Sequence, residues 1–293
     1  MSVAKGAEAM ATGTAGALKI EAMRRVGLSD FGDDAEYLPG LRKLLQAVET
    51  DMPLTEAGRA TVHEMLIGLL ASRLYAHEGW KRRPDCLGKP VKAPVIILGL
   101  PRTGTTALHR LLSFDPQFQG PELWLMGTPM PRPPRATWES HARYRECAAI
   151  TKAMNAAAPE FAVIHPRGAD LVDECNDITM QCFMHIVLGG YFPLPSYDAW
   201  WPRQDHGPQY RYLYRVLQLI GADDARPWLL KDPALITRLP QLIETFPDAR
   251  LIYTHRDPAD SLPSFCSLVR VAQAAVLGDR VDSHRIGARS LEF

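Results

Sequence analysis

The most compact apolar stretch of the chain is residues 95–98, Val-Ile-Ile-Leu. It shows no alternation of apolar and polar positions, which is typical of a strand buried on both faces of a parallel sheet. Residues 99–106 contain two glycines and a proline and therefore predict a turn. Leucines then recur on one face from Ala107 to Ser113, so the pattern predicts a strand, a turn and a helix in immediate succession.

A similar succession of elements is predicted nearer the C-terminal end of the chain. Apolar runs at 228–230 and 250–254 predict two further strands. Between them, the apolar residues of 235–246 have the spacing of an amphipathic helix, in which Pro240 predicts a kink. Strand, helix and strand in so short a span predict a βαβ unit. A further helix is expected over about 258–277.

Three other segments complete the predicted organisation. Residues 1–19 are rich in Ala and Gly and are expected to be disordered. Residues 20–90 are expected to be helical, since their apolar residues form a stripe at helical spacing. A mostly helical insert is predicted at about 135–222, within a domain that spans 91–293. The fold class predicted is α/β, with a P-loop-type parallel sheet flanked by helices.

Composition narrows the classes of function. Lys and Arg together number 33 and so do Asp and Glu, so a balanced charge gives no reason to expect nucleic-acid binding. No apolar run reaches the ~18 residues that a membrane span needs. The five cysteines are scattered and form no CxxC pair, so neither a disulfide framework nor a metal site is indicated. A cytoplasmic protein without metal, nucleic acid or membrane span is expected.

The turn at 99–106 has the features of an anion-binding loop. Backbone N–H groups and the positive end of the next helix dipole converge there, beside Gly104 and the cation of Arg102. The glycine spacing is nearly that of the nucleotide P-loop, but Thr105 stands where that motif requires Lys, which argues against ordinary ATP or GTP chemistry. A turn that binds no ligand is the alternative. The loop also carries three candidate hydroxyl donors, Thr103, Thr105 and Thr106.

A second candidate anion site follows the last predicted strand. Arg256 lies at the carboxyl end of that strand, where ligands of open parallel sheets bind, and Ser264 comes eight residues later. Together they predict a charge-assisted grip on a second phosphate. The string His255-Arg256-Asp257 is also found in kinase catalytic loops, but Leu262 stands where those loops need Asn. A surface Arg paired with Asp257 is the alternative.

In this order, the two sites resemble those of the sulfotransferase family, whose members use 3′-phosphoadenosine 5′-phosphosulfate (PAPS). Residues 101–106, Pro-Arg-Thr-Gly-Thr-Thr, are similar to the family's 5′-phosphosulfate loop. Residues 251–264 are similar to its 3′-phosphate motif, including the spacing from Arg256 to Ser264. The presence of both motifs in one chain is specific for this family, whereas either motif alone would not be.

Two further segments resemble the protein-tyrosine sulfotransferase branch of that family. Residues 229–233, Leu-Leu-Lys-Asp-Pro, are similar to its lysine-bearing strand end, and 115–122 to the segment that ends in a catalytic glutamate. The helical N-terminal segment is similar to that of bacterial members. The resemblance covers roughly residues 90–125 and 225–270.

The resemblance implies transfer of a sulfonate group from PAPS to the hydroxyl or amine of a small molecule, glycan or lipid, without a metal. Arg102 and Lys231 would neutralise the charge that develops on the leaving phosphate. The loop from Arg102 to Thr106 would hold the 5′ side of PAPS. Arg256 and Ser264 would hold its 3′-phosphate.

A general base must accept the proton of the acceptor. Cytosolic members of the family use a His two positions after the Lys, and here that position is Pro233. The resemblance to the tyrosine-sulfating branch therefore makes Glu122 the expected base. His165 and Glu174 are the alternatives.

The C-terminal part of the chain departs from the family. Only 29 residues follow Ser264, whereas family members continue with further helices and a Gly/Arg/Lys loop over the 3′-phosphate. A C-terminally truncated chain is therefore expected. Two other functions stay open on sequence alone: a P-loop small-molecule kinase, and a degenerate nucleotide-binding remnant without activity.

Overall fold

The structure is a computed structural model in which residues 13–291 are described. Within that range the chain forms a three-stranded sheet surrounded by helices. The strands are β1 (Val95–Gly99), β2 (Leu229–Lys231) and β3 (Arg250–Thr254). The helices are α1 (Ala15–Val26), α2 (Leu38–Asp51), α3 (Glu56–Arg82), α4 (Thr105–Leu112), α5 (Leu123–Gly127), α6 (Ala142–Ala157), α7 (Pro159–Ile164), α8 (Asn176–Thr179), α9 (Ile186–Tyr191), α10 (Pro195–Trp200), α11 (Gly207–Ile220), α12 (Leu239–Thr245), α13 (Pro258–Leu277) and α14 (Ser283–Leu291).

The sheet is parallel and has the order β2-β1-β3. Val95 pairs with Leu229 on one side and with Arg250 on the other. All five residues of β1 are buried, as their uninterrupted apolar sequence predicts. Because all three strands run the same way, the segments that follow them meet at one edge of the sheet. The predicted α/β fold class is confirmed.

The βαβ unit differs from its prediction in one respect. Instead of a single kinked helix, residues 233–238 form a 3₁₀ helix and α12 begins at Leu239. Pro240 lies in the first turn of α12, where its missing N–H costs nothing, so it starts a helix rather than bending one. The helix expected over 258–277 is present as α13.

The predicted disorder at the N-terminus is wrong for residues 15–19, which form the first turns of α1. Thr14 caps this helix, its Oγ1 accepting a hydrogen bond from the Ala17 N–H at 3.2 Å. Leu18 is buried in a core that also contains residues of α2 and α3. Packing of one apolar face therefore orders a segment whose composition is typical of a frayed end. Residues 1–12 lie outside the described range.

Two large apolar clusters hold the fold together. One surrounds the sheet and contains much of α11, and the other joins α1, α2 and α3 to residues of α9 and α10. The region expected to be a helical insert thus contributes to both clusters. Among the described residues, one helical stretch, 258–280, is long and apolar enough to span a membrane, and it packs against α3 and α14.

Candidate active site

The loop between β1 and α4 is held in shape by its own backbone and by β3. Gly99 has φ +146°, and a Cβ there would lie 2.5 Å from the Thr254 carbonyl oxygen, so the position requires glycine. Gly104 has φ +93° and is the N-cap of α4. The first N–H groups of α4 have no acceptor within the helix and point toward the loop. This arrangement suits an anion.

Thr103 ties the loop to the end of the neighbouring strand. Its hydroxyl donates to the Leu100 carbonyl oxygen at 2.7 Å and lies 2.6 Å from the Thr254 Oγ1. A hydroxyl has a single proton, so these contacts use the Thr103 donor inside the protein. The structure therefore gives this predicted ligand donor a structural role, while Thr105 and Thr106 line a cavity beside the loop.

The two predicted anion motifs are in direct contact. Arg102 Nε donates to the Ser264 Oγ at 3.0 Å. Arg256 lies at the same edge of the sheet, half exposed, with its Nε 3.5 Å from the Asp260 carboxylate. Asp257, the partner proposed by the surface-pair alternative, instead caps α13 by accepting from the Ala259 N–H.

Lys231 is a fully buried cation at the end of β2. Its Nζ donates to Glu174 Oε1 at 2.6 Å and to Thr106 Oγ1 at 3.1 Å. Burial opposes ionisation of Glu174, but the adjacent ammonium outweighs it and lowers the pKa of that carboxyl. The second Glu174 oxygen accepts from the Asn176 amide at 2.7 Å. Glu174 is thus held as a carboxylate whose two oxygens are both engaged.

His165 stands on the wall of the same cavity and is oriented by a buried acid. Its Nε2 lies 3.2 Å from Asp173 Oδ1, and Asp173 Oδ2 accepts from Arg167 Nε at 3.0 Å. Burial disfavours the Asp173 charge, yet the hydrogen bond to His165 and the charge of Arg167 lower its pKa well below the ordinary value. Burial raises the pKa of Asp177, the other carboxyl partner of Arg167, to about 6.

Glu122, the base expected from the family resemblance, lies elsewhere. It lines a separate cavity, and its Oε2 accepts from Arg132 at 3.0 and 3.2 Å. Arg132 also pairs with Asp224, so Glu122 belongs to a charged network beside the start of β2. Burial raises the pKa of Glu122 despite the Arg132 charge. Glu122 therefore does not line the cavity that contains Thr106 and His165.

One acid at this cavity was not singled out in the sequence. Asp232 is fully buried, its Oδ1 accepts from the Ala234 N–H at 2.8 Å, and its Oδ2 lies 3.4 Å from His185 Nε2. Its position directly after Lys231 at a strand end was the available signal. Asp173 was likewise passed over, because a helical insert without clear periodicity does not show which of its acids faces inward.

The cavity itself has two unlike walls. One wall is polar, with Arg102, Thr105, Thr106, His165, Glu174 and Asp232. The rest of the lining is mostly apolar and includes residues of α9 and α13 together with Pro233 and Ala234. Such a site can hold an anion against the loop and present an apolar molecule to it. Within residues 13–291, no group of three or more His, Cys, Asp or Glu side chains is placed to hold a metal ion.

The family model for the sulfotransferase family matches residues 94–292, and the chain belongs to that family. Sulfotransferase STF1 from Mycobacterium tuberculosis has a similar crystal structure, with a TM-score of 0.90 and 37% identity over 97% of this chain and 78% of that one. The crystal structure of sulfotransferase STF9 from Mycobacterium avium is also similar, with a TM-score of 0.87 and 29% identity over 99% of this chain and 74% of that one.

Curated relatives are similar over a shorter stretch. The omega-hydroxy-beta-dihydromenaquinone-9 sulfotransferases Stf3 of Mycobacterium bovis and Mycobacterium tuberculosis are 29% identical over 178 residues. The match takes in 58% of this chain and 44% of the length of each relative. The bacterial sulfotransferase resemblance found in the sequence is thereby confirmed.

Proposed function

We propose that the protein transfers the sulfonate group of PAPS to a hydroxyl or amine acceptor. One observation carries the proposal: the loop after β1 touches the motif after β3, through Arg102 and Ser264. PAPS has a 5′-phosphosulfate and a separate 3′-phosphate, and two adjacent anion sites match this distribution of charge. Family membership and the mycobacterial relatives named sulfotransferases support it.

The donor is held by groups of opposite charge at both ends. The first N–H groups of α4 and the hydroxyls of Thr105 and Thr106 take the 5′-phosphosulfate, with Arg102 beside them. Arg256 and Ser264 take the 3′-phosphate. No lysine is needed at position 105, since PAPS has no β and γ phosphates for it to reach. Lys231 supplies a cation from the next strand instead.

The reaction is an in-line displacement at sulfur. An acceptor oxygen or nitrogen forms a bond to sulfur while the bond from sulfur to the bridging phosphate oxygen breaks. The electron pair of that bond leaves with adenosine 3′,5′-bisphosphate, and the acceptor proton passes to a base. Arg102 and Lys231 stabilise the charge on the bridging oxygen as it develops.

His165 replaces Glu122 as the proposed base. Asp173 binds its Nε2, which leaves Nδ1 to accept the acceptor proton and stabilises the imidazolium that forms. Glu174 is a weaker candidate because Lys231 and Asn176 occupy both of its oxygens. We assign Glu174 the role of holding the Lys231 ammonium against Thr106, which lines the cavity.

The donor assignment is tested by calorimetric titration. Adenosine 3′,5′-bisphosphate should bind, and ATP with magnesium should bind far more weakly, because position 105 lacks the P-loop lysine. Tight binding of ATP alone would favour the kinase alternative. Transfer of labelled sulfate from PAPS to a panel of alcohols, phenols, amines and sugars then tests activity. Bisphosphate binding without any transfer would favour the inactive remnant.

A further inference from the structure

A second cavity adjoins the proposed active site. It lies between α9, α13 and α14, and Gly190 and Phe265 line it as well as the active-site cavity. The two cavities therefore share these two residues as wall residues. Phe265 directly follows Ser264, so the shared wall lies next to the proposed donor site.

The walls of this second cavity favour an apolar occupant. Its apolar lining includes Phe192, Val269 and Ile286. Charged residues line it as well, namely Asp198, Arg280, Asp282, Arg285 and Arg289. Arg289 donates to both carboxylate oxygens of Asp198, at 2.7 and 2.8 Å, and Asp282 accepts from the His284 N–H at 3.0 Å. Arg280, another lining residue, donates to the Pro53 carbonyl oxygen at 2.8 Å.

A sugar would bury several hydroxyl groups that each need a hydrogen-bond partner. A hydrocarbon chain needs none and gains free energy from every methylene group removed from water. The reacting group, in contrast, must reach the polar wall near His165 and Lys231. One end of the acceptor must therefore be polar and the remainder apolar.

We propose that the acceptor is an elongated apolar alcohol whose hydroxyl lies at the active-site cavity and whose hydrocarbon chain passes Phe265 and Gly190 into the second cavity. This inference rests on the proposed sulfonate transfer and selects one class among its possible acceptors. The hydroxyl oxygen of the alcohol forms the new bond to sulfur while the bond from sulfur to the bridging phosphate oxygen breaks. The hydroxyl proton goes to His165, and adenosine 3′,5′-bisphosphate leaves with the electron pair of the broken bond. The hydrocarbon chain takes no part in the chemistry and contributes binding.

A larger side chain at Gly190 should narrow the proposed route of the hydrocarbon chain without straining the backbone. A Cβ at Gly190 would meet no atom within 4 Å, whereas one at the neighbouring Gly189 would lie 1.9 Å from Asp198 Oδ1. Gly190→Leu therefore places a bulky side chain at the junction. Gly68→Leu is the matched control, since Gly68 is an exposed position of α3 that also has open space around its Cβ.

The experiment measures labelled-sulfate transfer from PAPS to 1-butanol, 1-octanol and 1-dodecanol, with glucose as the polar comparison. In the unmodified protein, kcat/KM should rise about two- to fourfold per methylene group until the cavity is filled, and glucose should be the poorest acceptor. Gly190→Leu should reduce the ratio of dodecanol to butanol turnover at least tenfold. Gly68→Leu should leave that ratio unchanged.

Three results would overturn the inference. They are turnover independent of chain length, preference for glucose over dodecanol, and an unchanged ratio in Gly190→Leu. Titration with adenosine 3′,5′-bisphosphate separates these from failure of the proposed function. If the bisphosphate binds but no alcohol is sulfated, the acceptor class is wrong and the donor site stands. If it does not bind, the proposed function fails as well.

Discussion

The two ends of the proposed PAPS site are built very differently. The sulfonate end, formed by the loop 99–106 with Lys231, His165 and Glu174, follows strands β1 and β2, which are buried throughout. The 3′-phosphate end, formed by Arg256 and Ser264, follows β3, whose residues are mostly exposed. Leu251 and Tyr253 are 42% and 52% exposed.

The side chains at the two ends reflect this contrast. Lys231 has no exposed surface and donates hydrogen bonds to Glu174 and Thr106. Arg256, in contrast, is half exposed, and its Nε lies 3.5 Å from the Asp260 carboxylate. Catalysis requires charged groups that are already fixed at the place where charge develops in the transition state. A phosphate, in contrast, can be bound by a cation whose side chain moves to meet it. We therefore expect substitutions at the sulfonate end to change turnover and stability, and those at the 3′-phosphate end to change affinity.

The largest effect is expected for the base at the sulfonate end. His165→Asn should lower kcat by about 10²- to 10⁴-fold, because it removes the proposed base while Lys231 and Asn176 occupy both oxygens of Glu174. The affinity for adenosine 3′,5′-bisphosphate should change less than twofold. A kcat within threefold of that of the unmodified protein would contradict the assignment. His63→Asn, on the outer side of α3, is the control.

Lys231→Met should lower kcat by about 10²- to 10³-fold through loss of transition-state stabilisation. It should also destabilise the fold by about 3 to 5 kcal/mol, since it leaves the Glu174 charge buried without its cation. The double variant Lys231→Met/Glu174→Gln should recover stability in urea unfolding but not turnover. Recovery of both would make the role of Lys231 purely structural.

At the 3′-phosphate end, Arg256→Ala should weaken binding of adenosine 3′,5′-bisphosphate by about 10- to 100-fold. This loss of affinity corresponds to the free energy of one charge-assisted hydrogen bond. The free energy of unfolding should hardly change, because the side chain is half exposed. Calorimetry at low and high salt checks this, with a smaller salt dependence expected for the variant. Arg270→Ala, an exposed arginine of α13, should match the unmodified protein in both measurements.

Acidification should destabilise the sulfonate end through His109, a buried residue of α4. Burial and the Lys231 charge lower its pKa from 6.5 to about 4, and its Nδ1 has no hydrogen-bond partner among residues 13–291. As pH falls from about 6.5 to 4, the unfolded chain binds the proton first, so stability is lost in this window by roughly 1 to 3 kcal/mol. His109→Gln keeps a donor for the Leu229 carbonyl oxygen and should flatten the dependence in urea unfolding. An equally steep profile would exclude His109 as its source.

The smallest catalytic effect is expected for Glu122→Gln. Its carboxyl faces Arg132 in a separate cavity, so kcat should change less than threefold. The midpoint of thermal unfolding should shift downward, since the partly buried Arg132 loses part of its charge compensation. A loss of 100-fold or more in kcat would restore Glu122 as the base and remove His165 from that role.

The sequence alone predicts most of the proposed donor site. The apolar run of β1, the glycine turn and the spacing from Arg256 to Ser264 are local patterns, and parallel strands bring the ends of neighbouring strands together. The contact between Arg102 and Ser264 follows from that rule. The first turns of α1, residues 15–19, are not predicted, because their order comes from burial of Leu18 rather than from composition.

The acceptor side was decided by tertiary structure. Glu122 and His165 both lie next to the end of a helix, and nothing local shows which of them lines the cavity beside the anion loop. The direction of each side chain depends on partners far along the chain, Arg132 for Glu122 and Asp173 for His165. The sequence determined the elements and the anion loop because these depend on neighbouring residues. The packing of the insert against the sheet determined which acids, bases and apolar walls meet, because such contacts form only when the whole domain is folded.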